Sequence, residues 1–499
     1  MQRWLGRTAL ALALAVPFFW QLDREEFHGD ESHWTSSGQQ AFHLVASLRL
    51  DDPQWRDEFY FYSQPQVGKL TIGAALALVG ISGPTAVYDY DWQRLLHENR
   101  AAGRVPSAEA LQAARVPGAL AGWLGCLLVW ALAAFTPFPA AHRVGTRPSP
   151  TRGEGEHDSA AQSFLAATGP LAAALLASHP LWLANARRAG LDTMALSLGL
   201  ASALAVHQGC RATGRRRAAG WWVVAGVLVG LSAGTKYVGL LAALLGPLAA
   251  LAHLATRRRW LHLMLCAGLM APAAGAVFYV TNPALYSDPL TQLRVSVGFL
   301  ADQAESMRQT LPSFQSPLWV AVEIVDRTIW PLGFPHVVDR SLPEPLSPGS
   351  YGTPIVALGA AIALLALARR RAFAALPAGA LALATGWTGL VFVLLALSVP
   401  TWWERWHVPL VPPLVLLAGM GLGVLAAPRA LPWLLAAAQY ASALAMLPSY
   451  LGRGFTQMAT TPVGTIAHMA VLAWALLALV SLCVRLLRQR RGKERGDGS

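Results

Sequence analysis

Charge is scarce in this chain. Only 13% of its 499 residues are Asp, Glu, Lys or Arg, against roughly 25% in soluble domains, which excludes a solvated globular surface for most of its length. Acids are scarcer than bases, 27 against 39, leaving a formal net charge of +12. Cysteine is rarer still. Cys126, Cys210, Cys266 and Cys483 all lie in or beside apolar runs, so no disulfide framework is implied. A nucleotide-phosphate loop, an internal repeat and a stretch polar enough for a soluble domain are also missing.

Apolar sequence is what the chain has in excess, 54% of it. Runs of about 20 apolar residues, enough to cross about 30 Å of hydrocarbon, recur along it, and the chain reads as an all-α polytopic integral membrane protein. The basic residues stand in short clusters between these runs: Arg211 with Arg215 to Arg217, Arg257 to Arg259, Arg369 to Arg371, and the tail from Arg485 to Arg495. Such clusters are the positive-inside signature of cytoplasmic loops, so no nucleic acid is expected as partner.

If every cluster is cytoplasmic, an even number of crossings separates each pair. The spans that satisfy this are 6–22, 115–135, 164–183, 190–208, 219–234, 238–255, 261–280, 352–368, 378–398, 408–427, 431–447 and 465–485, about 12 transmembrane helices. The first is read as an uncleaved helix with its amino end inside. Parity rejects 67–81, which contains Lys69, and 317–332, which carries Glu323, Asp326 and Arg327. Each charge at mid-membrane would cost about 2.5–3.5 kcal/mol, and both stretches are expected to be external juxtamembrane helices.

The chain is then one transmembrane domain over 1–499. It has a first external loop at 23–114 with a surface helix, a second at 281–351, a cytoplasmic linker at 136–163 and a basic cytoplasmic tail at 486–499. Small external turns fall near Asp192, Lys236, Arg405 and Arg453.

Chemistry is expected on the external side, where the acids are. Asp30 and Glu31 are consecutive, so on a helix they diverge by about 100° and cannot share one proton as a facing dyad would. They have separate jobs, or they are simply solvated loop acids. His28 and His33 flank them and leave a divalent cation open as a partner. Gly29 breaks the His-Glu-x-x-His zinc pattern, however, and ordinary hydrogen bonds are the alternative, so no metal ligand is assigned. Most of the 19 tryptophans fit an interfacial belt, with Trp34 and Trp55 the candidates for stacking on a sugar. Tyr286 and Asp288 are candidates for a lid.

Four passages then resemble the polyprenol-phosphate-dependent GT-C glycosyltransferases, which include protein O-mannosyltransferases and the bacterial transferase of aminoarabinose to lipid A. Gly29-Asp30-Glu31 resembles the family's first-loop Asp-Glu motif. Gln64-Pro65-Gln66-Val67-Gly68-Lys69-Leu70 is similar to the His-Pro-Pro-Leu-Gly-Lys-Leu segment of the mannosyltransferases. Ala186 to Asp192 resembles an Arg…Leu-Asp turn, and Gly230 to Leu240, with Lys236, a Gly-Leu…Lys-aromatic-Val-Gly-Leu turn. Thr281 to Pro289 and Glu404 to Leu410 match looser features. Gln64 departs from the family, standing where the mannosyltransferases have His and the aminoarabinose transferase has Lys. His33 also departs, standing where the latter has Arg.

The resemblance implies a GT-C fold and an inverting transfer of a sugar from a polyprenyl-phosphate donor to a hydroxyl of a protein, lipid or glycan. It assigns Asp30, Glu31 and Asp192 to catalysis, with Asp30 as base. Lys69, Arg188, Lys236, Arg405 and Gln64 are assigned to substrate binding, the cations having interfacial anchoring as the alternative. The site would face the periplasm or exterior of a bacterial inner membrane, an origin to which the Ala, Leu and Arg content points. A lipid or solute transporter, or an assembly scaffold, are the competing classes. Transporters bury ionisable groups at mid-membrane, and these spans are nearly free of charge.

Overall fold

The computed structural model describes residues 2–57, 61–81, 88–135, 168–256, 260–310, 316–328, 354–368, 378–399 and 404–424. The expected spans 431–447 and 465–485, the linker 136–163, the tail 486–499 and the turn at Arg453 lie outside them. Among the described residues there is no strand.

The described residues of each expected span up to 408–427 are mostly helical: α1 (Gln2–Phe19), α5 (Ala108–Phe135), α6 (Thr168–Ser178), α7 (Pro180–Arg187), α8 (Asp192–Arg211), α9 (Arg215–Thr235), α10 (Gly239–Ala243), α11 (Leu245–Thr256), α12 (Trp260–Val280), α15 (Pro354–Ala368), α16 (Ala378–Ser398) and α17 (Val411–Val424). Among the described residues five helices are long and apolar enough to cross a bilayer, and a sixth span results if α7 and α8 are one bent crossing. The chain is an integral membrane protein. The span expected at 164–183 is not one rod: Pro180 at the first position of α7 cannot continue the helix before it. A 111° bend then separates α7 from α8.

That bend positions the site. It puts Asp192 in the first turn of α8, while α9 ends at Thr235 with Lys236 extended (φ −162°) as its cap. The two helices pack side by side, with Ser232 Oγ donating to the Ala195 carbonyl at 2.7 Å. Glycines let α9 approach its other neighbour, α12: a Cβ at Gly226 or Gly230 would sit 2.4 Å from the Met270 carbonyl oxygen or 2.6 Å from that of Ala274.

The stretch 23–114, expected as a loop, is largely helical, with α2 (Gly29–Ala46), α3 (Val67–Leu78) and the short α4 (Leu96–Ala101). His28 caps α2, its Nδ1 accepting from the Asp30 amide (3.3 Å) while Glu31 Oε2 accepts from the His28 amide (3.0 Å). This is a capping box, and two acids in the first turn suit the helix dipole. α3 was expected to lie on the membrane with Lys69 at the surface. Instead it is drawn against α2, where a Cβ on Gly73 would stand 2.1 Å from the Gly38 oxygen, and its Lys69 face is buried. The expected 317–332 helix is α14 (Pro317–Thr328), packed on α16. α13 (Pro289–Thr310) precedes it, with Asp288 Oδ1 accepting from the Thr291 amide (3.2 Å) at its start.

Candidate active site

The first turn of α2 divides its two acids. Glu31 turns inward and is 1% exposed. Arg115 of α5 grips it with both nitrogens, Nε to Oε1 and Nη2 to Oε2 each at 2.8 Å, and the Ala189 amide adds a bond to Oε1 at 2.9 Å. Burial alone would raise this carboxyl, but Arg115 and the two backbone amides outweigh it and hold it below the usual range. With all its oxygens engaged, Glu31 braces α2 against α5 and the α7–α8 bend.

Asp30 faces the other way. Its Oδ2 accepts from Arg405 Nη1, and His28 Nδ1 lies 3.7 Å off. Burial pushes its carboxyl up, yet Arg405 first, then His28, His33 and Lys236, pull it down further, so it is held ionised. Arg405 belongs to the 3-10 segment Glu404–Leu410 that leads into α17, so this contact ties the beginning of the chain to its far half.

A cavity of about 270 Å³ is lined by Gln64, Asp192, Lys236 and Arg405 together with Leu300, Gln303, Ala304 and Met307 of α13. Lys236 Nζ donates to both oxygens of Asp192, at 2.7 and 2.8 Å. Burial lowers the lysine, and Asp192 works against that shift. Four residues distant in sequence thus line one cavity, all of them expected from motifs.

The remaining expectations fare differently. Lys69 is fully buried: its Nζ donates to the Gln64 carbonyl at 2.8 Å and stands 5.8 Å from the Trp34 ring and 5.6 Å from the Phe61 ring. Burial lowers its pKa well below that of a free lysine, so it anchors the Gln64 backbone from behind and does not line the cavity. Arg188 sits in the α7–α8 bend, its charge felt by Glu26 and His28, and is not among the lining residues. Trp34 and Trp55 were candidates for sugar stacking but are 7% and 1% exposed. Trp34 packs against His33, and Trp55 Nε1 donates to the Arg49 carbonyl (2.8 Å). Neither can meet a substrate. Tyr286 is tied to the Val280 carbonyl (2.6 Å), while Asp288 caps the helix that walls the cavity. Among the described residues no group of three His, Cys, Asp or Glu comes together.

Two buried arginines went unassigned in the sequence. Arg115 also donates to the Leu22 carbonyl (3.2 Å). Arg187 pairs with Glu25 (Nε to Oε2, 2.5 Å) and donates to the carbonyls of Pro17 (2.7 Å), Trp20 (2.9 Å) and Gln21 (3.1 Å). Together they satisfy the open carbonyls at the end of α1 and fix the strap that delivers Asp30. The signal for Arg115 in sequence was an arginine at the edge of an apolar run, and Arg187 stood in the passage resembling an Arg…Leu-Asp turn, where Arg188 was the arginine assigned.

Comparisons with known proteins bear on the fold. Residues 161–274 match the family described as dolichyl-phosphate-mannose-protein mannosyltransferase. No curated protein sequence matches. Among solved structures, ArnT from Cupriavidus metallidurans bound to undecaprenyl phosphate is similar at a TM-score of 0.52 and 18% identity, over 95% of this chain and 76% of that one. The same protein in the apo state gives 0.50 and 17% over the same shares. The chain thus shares the fold of this solved protein over 95% of its length.

Proposed function

We propose that the chain is an inverting glycosyltransferase that moves a sugar from a polyprenyl-phosphate donor to a hydroxyl acceptor at the external face of a bacterial inner membrane. One observation carries this reading: Lys236 and Arg405 line a single cavity, and the second of them holds the carboxylate of Asp30. That a similar protein binds undecaprenyl phosphate is in keeping with it.

The donor phosphate takes its place between Arg405 and Lys236, with Asp192 orienting the lysine. A phosphate competes with Asp30 for Arg405, so donor binding frees the carboxylate as the site fills. The leaving group needs little help, because a phosphate monoester has its second pKa near about 6. The acceptor hydroxyl needs more. Asp30 accepts its proton as the oxygen attacks the anomeric carbon, the bond from that carbon to the phosphate oxygen breaks, and lipid phosphate departs with the bonding pair. A single displacement inverts the anomeric centre.

The test is release of lipid phosphate from an undecaprenyl-phosphate-linked sugar by the purified protein in nanodiscs with a hydroxyl acceptor. Turnover supports the reading. Movement of intact lipid-linked sugar between leaflets without cleavage would support a flippase instead.

A further inference from the structure

The stretch 88–107 ahead of α5 is folded back onto the start of α2 and fixed there at several points. Asn99 is fully buried: its Oδ1 accepts from the Asp91 amide (2.9 Å), and its Nδ2 donates to the carbonyls of Asp91 (2.9 Å), Arg94 and Leu95 (each 3.2 Å). Two serines of α2 hold the same stretch, Ser36 Oγ accepting from the Tyr88 amide and Ser32 Oγ donating to the Arg104 carbonyl, both at 2.8 Å. Asp91 adds ion pairs with Arg94 (3.1 Å) and Arg104 (3.4 Å). A loop tied in this way presents its side chains already in place, so a ligand meets them with little ordering cost.

What the loop presents is a pair of aromatic rings beside Asp30. Tyr90 and Trp92 meet edge to face at 5.2 Å, Tyr90 also packs on Phe27 (5.5 Å), and Trp92 on the His28 ring (5.7 Å). Both rings press on Gly29, where a Cβ would stand 2.7 Å from Tyr90 and 2.8 Å from Trp92. His28 Nδ1 is in turn 3.7 Å from the Asp30 carboxylate, so a single side chain separates Trp92 from the proposed base. Unlike the buried Trp34 and Trp55, Trp92 is 51% exposed. The residues exposed around it are mainly polar and charged, Glu26, Asp89, Gln93 and Arg94, beside one apolar side chain, Leu95. A ring face carries negative charge density that attracts the polarised C–H groups of a sugar, while carboxylates, amides and guanidinium groups at its rim suit hydroxyls. An extended peptide, by contrast, pairs with a sheet edge, and there is no strand among the described residues.

We infer that Tyr90 and Trp92 form a platform on which a carbohydrate acceptor stacks, bringing one of its hydroxyls to Asp30. This rests on the donor reading above and narrows the acceptor to a glycan. It also separates the two substrates in space: the donor phosphate lies in the cavity with Lys236 and Arg405, and the acceptor lies over the start of α2, with Asp30 between them.

The experiment applies the purified full chain, in fluorescent nanodiscs, to an array of immobilised oligosaccharides and of serine- and threonine-rich peptides, with empty nanodiscs as the blank. Undecaprenyl phosphate binding is measured on the same preparations. The wild type is expected to be retained on a subset of the oligosaccharides. Trp92→Leu keeps an apolar side chain, and with it any hold on the bilayer, but is expected to lose that retention by about three- to tenfold, the worth of one aromatic contact. Trp92→Tyr is expected to keep most of it, and in both variants lipid-phosphate affinity stays within about twofold of the wild type. Thermal midpoints taken alongside separate loss of the platform from loss of the fold. Retention on peptides alone, retention on no oligosaccharide, or equal retention of wild type and Trp92→Leu overturns the inference and leaves the donor reading standing. Failure of the wild type to bind undecaprenyl phosphate overturns both.

Discussion

Arg405 and Asp30 are 375 residues apart in sequence, and the guanidinium of one donates to the carboxylate of the other. On the proposed mechanism this contact makes the base and a phosphate ligand mutually exclusive: while Arg405 holds Asp30, neither is available for its proposed role. Glu31, one residue on, is held by Arg115 and two backbone amides. The 100° turn between consecutive helical residues thus separates a carboxylate that can be released from one that cannot.

The Arg115–Glu31 pair predicts a stability effect separable from catalysis. Both side chains are almost completely buried, and removing one partner of such a pair leaves a lone buried charge, at a cost of about 3–5 kcal/mol. Arg115→Met is expected to lower the thermal unfolding midpoint markedly in detergent. Asp30→Asn, on a pair about a fifth exposed, is expected to lower it far less. Equal losses would mean that both acids are structural.

Stability is expected to fall on mild acidification. Burial lowers His28 to about 4 and His33 to about 3, whereas in the unfolded chain each protonates near about 6.5. Between those values the unfolded state binds more protons, so stability declines as pH drops from about 6.5 towards 4. Asp30 and Glu31, both held below the usual range, contribute stability above about 4 and lose it only as pH falls through their lowered values. Midpoints measured from about pH 8 to 4.5 should therefore start to fall in the weakly acid range, with a shallower slope in His33→Asn. A midpoint that rises on acidification would contradict the buried neutral histidines.

Lys236→Ala is expected to act mainly on donor binding. It removes a charge-assisted contact worth about 1.5–3 kcal/mol, so the apparent donor KM should rise by roughly ten- to a hundredfold, with a smaller change in kcat. An unchanged KM would make the lysine only Asp192's structural partner.

Much of this site was legible beforehand, and the reason is local. Asp30, Asp192, Lys236 and Gln64 sit at helix ends or in short turns with recognisable neighbours, so the resemblance of those passages to a known family assigned them to one site. The pairings of Arg115 and Arg187 were not legible, because their partners lie 84 and 162 residues away; Arg115 flanks an apolar run and reads as an anchor, and in the turn that holds Arg187 the neighbouring Arg188 was the one assigned. Lys69 was misread for a related reason: the close approach of Gly38 and Gly73 that buries it is tertiary. Leu300, Gln303, Ala304 and Met307 of α13 recur at helical spacing, but only the fold reveals that they line the cavity.

Topology has its own test. Arg100, exposed on α4, belongs to the segment read as external. In a cysteine-free background, Arg100→Cys is expected to react with a membrane-impermeant maleimide added to intact cells or spheroplasts. Reaction only after membrane disruption would put the acids on the cytoplasmic side.

The central claim is that Asp30 takes the acceptor's proton, and it is tested most directly by consumption of an undecaprenyl-phosphate-linked sugar by wild type and Asp30→Asn side by side, with lipid-phosphate binding followed in the same samples. The account predicts turnover lowered by at least about a hundredfold, the lower end for a general base, with lipid-phosphate binding retained because Arg405 is left free for it. Turnover near that of the wild type in the variant would contradict it.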